Sequence, residues 1–262
     1  MKKVDAYVEK LNRIEDWDEF LLAESGLPGP RANLELIEAV VQIGSEETFL
    51  RYLTYSSDKA PVNSKEEFLA ACGTVGLGRL VKEGKKEYLN VLKVLASDSR
   101  WRTRESVAMA LQMYGESNMD ELLDIMLEWV KGNNTEKRAA VAALCEPKLL
   151  NNRKQVVKVL NILNSITEEI KDTKDRKDEG FIALKKAMGY CWSVAVVAVP
   201  EEGKILFESW LDSEDKDIKW IVKENLKKNR FIKMDKDWVT RCIQISDYIN
   251  NGGLYENEIG TK

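Results

Sequence analysis

The chain of 262 residues carries 40 Lys and Arg against 44 Asp and Glu, so its formal net charge is −4. It contains no histidine, which excludes Ser-His-Asp triads, Cys-His nucleophiles and imidazole acid–base catalysis. Its cysteines form no CxxC pair, so the sequence predicts no metal site, no cofactor and buried free thiols in a reducing compartment: Cys72, Cys145, Cys191 and Cys242.

Two features of the sequence bear on localisation. The amino-terminal stretch is charged and amphipathic, without the apolar segment of a signal peptide. The longest apolar run, residues 192–199, is too short to span a bilayer. We therefore expect a cytoplasmic protein that does not contact a membrane.

The first 60 residues differ in charge from the rest of the chain. Residues 1–58 have a net charge of −6, and Gly26 to Pro30 interrupts their helical pattern. Apolar spacing predicts helices over residues 4–23, 33–44 and 46–55. We expect residues 1–60 to form an acidic, helical amino-terminal cap or a small subdomain.

A longer helix is predicted from Ser64, which forms a capping-box pattern with Glu67. This helix contains Gly73, Gly76 and Gly78, whose order does not match a GxGxxG phosphate loop and which no strand precedes. Small residues spaced along a helix are typical of close helix packing, and we adopt that interpretation.

The remaining pattern is helical throughout, with no hairpin or βαβ signature. Gly115 and Gly132 are predicted helix stops, and residues 167–180 a charged loop or frayed helix end. Predicted helices cover residues 85–96, 101–114, 119–130 and 135–145. An apolar stripe over residues 156–166 indicates another helix, and an apolar helix over 181–199 ends at Pro200. The last two predicted helices contain Trp220 and Trp238.

One frame of residues recurs along the chain. It consists of an Asp, a Trp three residues later and a cation three residues after that, as in Asp98, Trp101 and Arg104. Because Asp and Asn cap exposed N–H groups, the first residue of each copy is a predicted helix start. The other copies are Asp217/Trp220/Lys223, Asp235/Trp238/Arg241 and a weaker one from Asn133 to Arg138.

This frame resembles HEAT-type repeats, in which the second helix begins with an Asp and carries an Arg six residues later. The resemblance implies an all-α fold, a right-handed α-α superhelix of the HEAT-like or armadillo type, over residues 61–250. It also implies that the Asp and the cation form a ladder between neighbouring repeats. Residues 251–262 are expected to be a disordered tail.

Basic residues are concentrated in three blocks that coincide with the repeats. Residues 79–104, 131–158 and 216–241 each carry a net charge of +5. A recurring basic surface favours contact with a nucleic-acid backbone. The alternative is an ordinary solvated face of lysine and glutamate.

A second resemblance covers roughly residues 85–235. Trp101 with Glu105 four residues later, Arg138 before two alanines, and Tyr190 after an Ala-Met-Gly step resemble the DNA alkylation repair family, alkylpurine DNA glycosylases built from HEAT-like repeats. The resemblance implies that Glu105 is the catalytic carboxylate, that Trp101 and Tyr190 lie against the damaged nucleotide, and that Arg138 holds a phosphate. The family usually has Asp and Trp where Glu105 and Tyr190 stand.

The resulting functional expectation is a HEAT-like scaffold that engages the DNA backbone through a basic concave strip. Its DNA-binding candidates are Trp101, Arg104, Arg138, Tyr190 and Lys223. One alternative is an alkylpurine DNA glycosylase, in which the ionised Glu105 stabilises the oxocarbenium character that develops at the sugar. The other is a scaffold that binds a protein partner and has no affinity for DNA.

Overall fold

The computed structural model describes the backbone of residues 3–250 and the side chains of residues 3–247. Within these residues the secondary structure consists of α-helices and one short 3-10 helix, so the fold is all-α, as predicted. The predicted tail over residues 251–262 lies outside the described part. Contacts along the chain define two compact units, Met1–Trp129 and Val130–Lys262.

The first unit contains seven helices and is centred on α5. The helices are α1 (Lys3–Leu11), α2 (Asp18–Glu24), α3 (Leu34–Ile43), α4 (Glu46–Leu53), α5 (Glu67–Lys82), α6 (Tyr88–Leu95) and α7 (Trp101–Trp129). Nearly every side chain of α5 is buried, because α2, α3, α4, α6 and α7 all pack against it. Residues 1–60 therefore contribute helices to the same core as residues 61–129.

The glycines of α5 allow this close packing, which confirms the prediction from their spacing. A Cβ at Gly78 would lie 2.5 Å from the Cα of Ala110 in α7, and one at Gly73 would lie 2.8 Å from the Phe49 carbonyl oxygen in α4. At Gly76 it would meet the Phe49 ring at 2.3 Å. Neighbouring helices approach the α5 backbone where a side chain would otherwise stand.

Two predicted helix boundaries in this unit are wrong. The expected single helix over residues 4–23 is two helices, because the chain turns after Leu11, where the Trp17 indole N–H donates to the Leu11 carbonyl at 3.0 Å. Gly115 does not end its helix. The break comes at Asn118, whose backbone angles (φ −141°, ψ 49°) interrupt α7.

The second unit is centred on α10. Its helices are α8 (Asn134–Leu144), a 3-10 turn (Pro147–Leu149), α9 (Arg153–Ile170), α10 (Glu179–Ala198), α11 (Pro200–Glu208), α12 (Lys216–Leu226), α13 (Asn229–Met234) and α14 (Lys236–Asn250). Helices α8, α9, α11, α12 and α13 all pack against α10, which confirms that this apolar helix is buried on several sides. Pro200 ends α10 and is also the first residue of α11.

Among the described residues, α10 is also the one helix long and apolar enough to cross a membrane by length and composition. However, 61% of that window is buried within the fold, as in the core helix of a globular unit. Beside it, Phe207 contacts Trp192, Phe231 and Trp238, with ring centroids 5.9, 5.3 and 6.0 Å away. This aromatic cluster joins α10 to α11, α13 and α14.

The predicted helix starts are confirmed at two of four positions. The side chain of Asn133 accepts from the N–H groups of Thr135 and Glu136, and that of Asp235 accepts from the Trp238 N–H. Asp98 instead accepts from the Arg100 N–H, one residue before α7 begins.

The prediction for Asp217 is wrong. Asp215 caps α12, and Asp217 lies inside the helix with 5% of its surface exposed. Its carboxylate is bonded by Arg176 at 2.8 Å and by Lys185 at 2.9 Å. These two cations stabilise the buried charge, so Asp217 joins α12 to α10 and to the loop before α10.

Candidate functional site

The turn before α7 fixes the position of Trp101. Asp98 accepts hydrogen bonds from the Arg100 backbone N–H at 2.7 Å and from its guanidinium at 2.8 and 2.9 Å. Arg100 is buried and also donates to the carbonyl oxygens of Tyr55 and Ala60. Burial would raise the pKa of Asp98, but the Arg100 bonds and the nearby charge of Arg104 outweigh burial and lower that pKa. The turn is thus held by the ion pair between Asp98 and Arg100.

Trp101 begins α7 with 44% of its surface exposed. The guanidinium of Arg102 lies over its ring, 4.3 Å from the centroid. Arg102 itself is only 6% exposed and donates to Glu67 Oε2 at 3.0 Å, to the Gly29 carbonyl at 2.6 Å and to Asn63 Oδ1 at 3.2 Å. An exposed aromatic ring therefore rests on a buried, immobilised cation.

The two other candidates of this unit lie in the first turn of α7. Arg104 is half-buried, and its guanidinium donates to the carbonyl oxygens of Asp98 at 2.6 Å and Ser99 at 2.9 Å. It therefore bonds the turn that precedes its own helix. Glu105 is exposed and lies one helical turn after Trp101, on the same side of α7.

The remaining candidates belong to the second unit. Arg138 in α8 is 7% exposed, and Tyr190 in α10 is half-buried; these two helices pack against each other. Lys223 in α12 is exposed and lies 3.5 Å from Asp247 in α14. Of the predicted residues, Trp101, Glu105 and Lys223 are thus the exposed ones.

The first basic block is largely engaged in holding its own unit together. At least six of its eight cations bond to groups within that unit: Arg79 to the carbonyls that end α3, Lys85 to Glu46, Lys86 to Tyr114 and Glu121, Arg100 to Asp98, Arg102 to Glu67, and Arg104 to the turn before α7. Net charge in the sequence therefore overstates the charge that this block offers to a ligand.

The sequence did not predict that Arg102 supports the Trp101 ring. Its position beside Trp101 was visible, but its buried partner Glu67 stands 35 residues earlier in the chain. No local spacing signals such a pair. The only sequence signal was an acidic residue in the strongly apolar first turn of α5.

The surface of the second unit carries shallow clefts that contain none of the predicted site residues. One, of about 470 Å³, lies where α10 meets α11 and is lined by Arg153, Glu201 and Glu202; Arg153 pairs with both glutamates. Within residues 3–247, no group of three or more His, Cys, Asp or Glu side chains is placed to hold a metal ion.

Comparisons of the chain with protein-family models, with curated proteins and with solved structures give no match. The all-α class therefore rests on the helices of the structure alone.

Proposed function

We propose that the chain is an α-helical scaffold, of the HEAT-like superhelical type, that binds nucleic acid. The observation that supports this proposal is the exposed Trp101 ring on its buried Arg102 support. Single-stranded nucleic acids are bound by aromatic side chains on which bases stack, and each stacked base contributes about 1–3 kcal/mol. A ring that is already fixed loses little conformational entropy when a base stacks on it.

The cation beneath the ring favours a neutral base as the stacked group. Arg102 already occupies the region over one ring face, 4.3 Å from the centroid. A second positive charge close to this guanidinium would be repelled. A neutral planar base has the dispersion contact without that repulsion. Trp101 is thus suited to ordinary nucleobases.

The test is binding of a fluorescein-labelled single-stranded oligonucleotide by wild type and by Trp101→Ala, followed by fluorescence anisotropy. Loss of one stacked base is expected to weaken binding about tenfold. The dependence of affinity on salt should stay the same, because stacking neutralises no phosphate. The matched control is Val94→Ala, which removes an exposed apolar side chain from the same unit.

Equal losses in Trp101→Ala and Val94→Ala would contradict a specific role for the ring. Absence of any binding by wild type at low salt would reject the nucleic-acid proposal. It would leave the scaffold that binds a protein partner.

The exposure of Glu105 one turn after Trp101 favours a second candidate, the alkylpurine DNA glycosylase. In that mechanism the carboxylate stabilises positive charge at the sugar as the alkylated base leaves. The test is release of 7-methylguanine from alkylated duplex DNA, which Glu105→Gln should abolish while leaving DNA affinity intact. Lack of release by wild type would reject this candidate.

A further inference from the structure

The outer face of α12 carries a row of lysines. Lys216, Lys219, Lys223 and Lys227, here called the lysine row, occupy positions i, i+3, i+7 and i+11, which fall on one side of a helix. Lys227 follows the last residue of α12 and keeps helical backbone angles (φ −76°, ψ −11°). At 1.5 Å per residue the row is about 17 Å long.

The opposite side of α12 is buried, so the lysine row lies on the solvent side, where Lys216, Lys223 and Lys227 are exposed and Lys219 is half-buried. Ile218, Ile221, Val222 and Asn225 all lie in the core, and the Asn225 side chain bonds the Met188 carbonyl and the Ser193 N–H of α10. Side chains of Lys223 and Lys227 are 46% and 67% exposed. Packing against α10 thus fixes the direction in which the row points.

Surface carboxylates pair with two of the four lysines of the row. Asp217 points away from it, bonded by Arg176 and Lys185 from outside α12. Lys223 pairs with Asp247 at 3.5 Å and Lys227 with Glu224 at 2.6 Å, and both lysines are exposed. Pairs of this kind contribute little to stability and are readily exchanged for a stronger anion. The charge continues into α13, where Arg230 and Lys233 are exposed.

We infer that the lysine row binds the phosphate backbone of a nucleic acid. This inference rests on the proposed function and specifies a surface for it. Cations one helical turn apart present a linear array to a linear polyanion. Among the described residues, α12 exposes no large apolar side chain that would insert into a bilayer, which favours a phosphate backbone over a lipid surface.

The experiment compares two lysine pairs of identical spacing in the full chain. Lys219→Ala/Lys223→Ala removes two members of the row, and the control Lys154→Ala/Lys158→Ala removes two exposed lysines from α9. Binding of a short fluorescein-labelled DNA duplex is measured between about 50 and 200 mM KCl. Circular dichroism melting verifies that both variants remain folded.

The row variant should bind about tenfold more weakly at low salt, and the slope of log K against log salt should fall by about 1.8, the value for two lost phosphate contacts. The control should match wild type. If wild type binds and the two variants are equal, the lysine row is not the binding surface, although the proposed function stands. If wild type binds the single-stranded oligonucleotide but not this duplex, the inference fails and the proposed function stands; if it binds neither, both fail.

Vesicles of phosphatidylserine and phosphatidylcholine provide the last arm. Binding to these vesicles that exceeds binding to DNA, and that is lost in the row variant, would overturn the assignment to nucleic acid and indicate a membrane surface. Binding to DNA with weak or no vesicle binding supports the inference.

Discussion

The guanidinium of Arg102 lies 4.3 Å from the centroid of the Trp101 ring, while the same group donates a hydrogen bond to the fully buried Glu67. One side chain thus supports an exposed aromatic residue and neutralises a buried carboxylate. Stability of the first unit and geometry of the candidate site are coupled through it.

Arg102→Leu should therefore destabilise the protein strongly. The change leaves the Glu67 charge buried without its cation, and breaking a buried pair in this way costs about 3–5 kcal/mol. Urea unfolding followed by circular dichroism measures the loss. The double variant Glu67→Leu/Arg102→Leu should recover part of it, because an apolar pair needs no compensation. A single variant as stable as wild type would show that the pair carries no such coupling.

Gly78→Ala should also destabilise the first unit. The new Cβ would lie 2.5 Å from the Ala110 Cα, and two backbones must separate to admit it, at a cost of about 1–3 kcal/mol or more. Thermal unfolding is the measurement. Gly84→Ala is the contrast, since its Cβ meets nothing within 4 Å and only the φ of +103° is strained. Equal stability of Gly78→Ala and wild type would mean that α5 and α7 pack less tightly.

The Asp217 ion pair predicts a dependence of stability on pH. Burial would raise the pKa of Asp217, but hydrogen bonds from Lys185 and Arg176 outweigh burial and lower it. A carboxyl group whose pKa is lower in the folded state stabilises the fold above its unfolded pKa of about 3.9. This contribution is lost as the pH falls through the folded pKa.

Asp217→Asn should therefore reduce the free energy of unfolding at pH 7 by about 3 kcal/mol. The difference from wild type should shrink as the pH is lowered below about 4. Urea titrations at pH 7 and at the lowest pH at which both proteins fold give the two values. Asp237→Asn, at an exposed position of α14, is the control. A difference that stayed constant with pH would contradict the role of the ion pair.

The cysteines should be unreactive in the folded protein. All four are free and buried, as the sequence predicted. Burial raises the pKa of Cys72 and Cys145, and it raises that of Cys242 to about 12, so little thiolate is present at neutral pH. Titration with a disulfide reagent should label no thiol natively and four in urea. Lys158→Cys, at an exposed position, should react at once; rapid labelling of the native wild type would contradict the burial.

Local signals in the sequence predicted the helices and several of their ends. Asn133 and Asp235 were identified as caps because a cap acts on N–H groups within three residues. The same rule wrongly selected Asp217, rather than Asp215, as the cap of α12. The spacing between Asp217 and Trp220 does not show that cations distant in the chain bond Asp217. The break of α7 at Asn118 could not be located from the sequence, because no glycine or proline stands at that position.

Partners distant in the chain were beyond such signals. The basic block over residues 79–104 suggested a charged surface, yet Arg79, Lys85 and Arg102 bond groups 35 to 39 residues away. The lysine row was accessible from spacing alone, but only Lys223 was selected, through its place in the repeat frame. Packing of α12 against α10 decides which lysines of α12 face solvent.

The apolar helix α10 has a consequence for synthesis of the chain. It is covered by α11, α12 and α13, which follow it in the chain, and Phe231 of α13 is added 33 residues after Ala198. At about 5–20 residues per second, the helix waits about 2–7 s before this partner is made. During that interval its exposed apolar surface is a natural target for a chaperone.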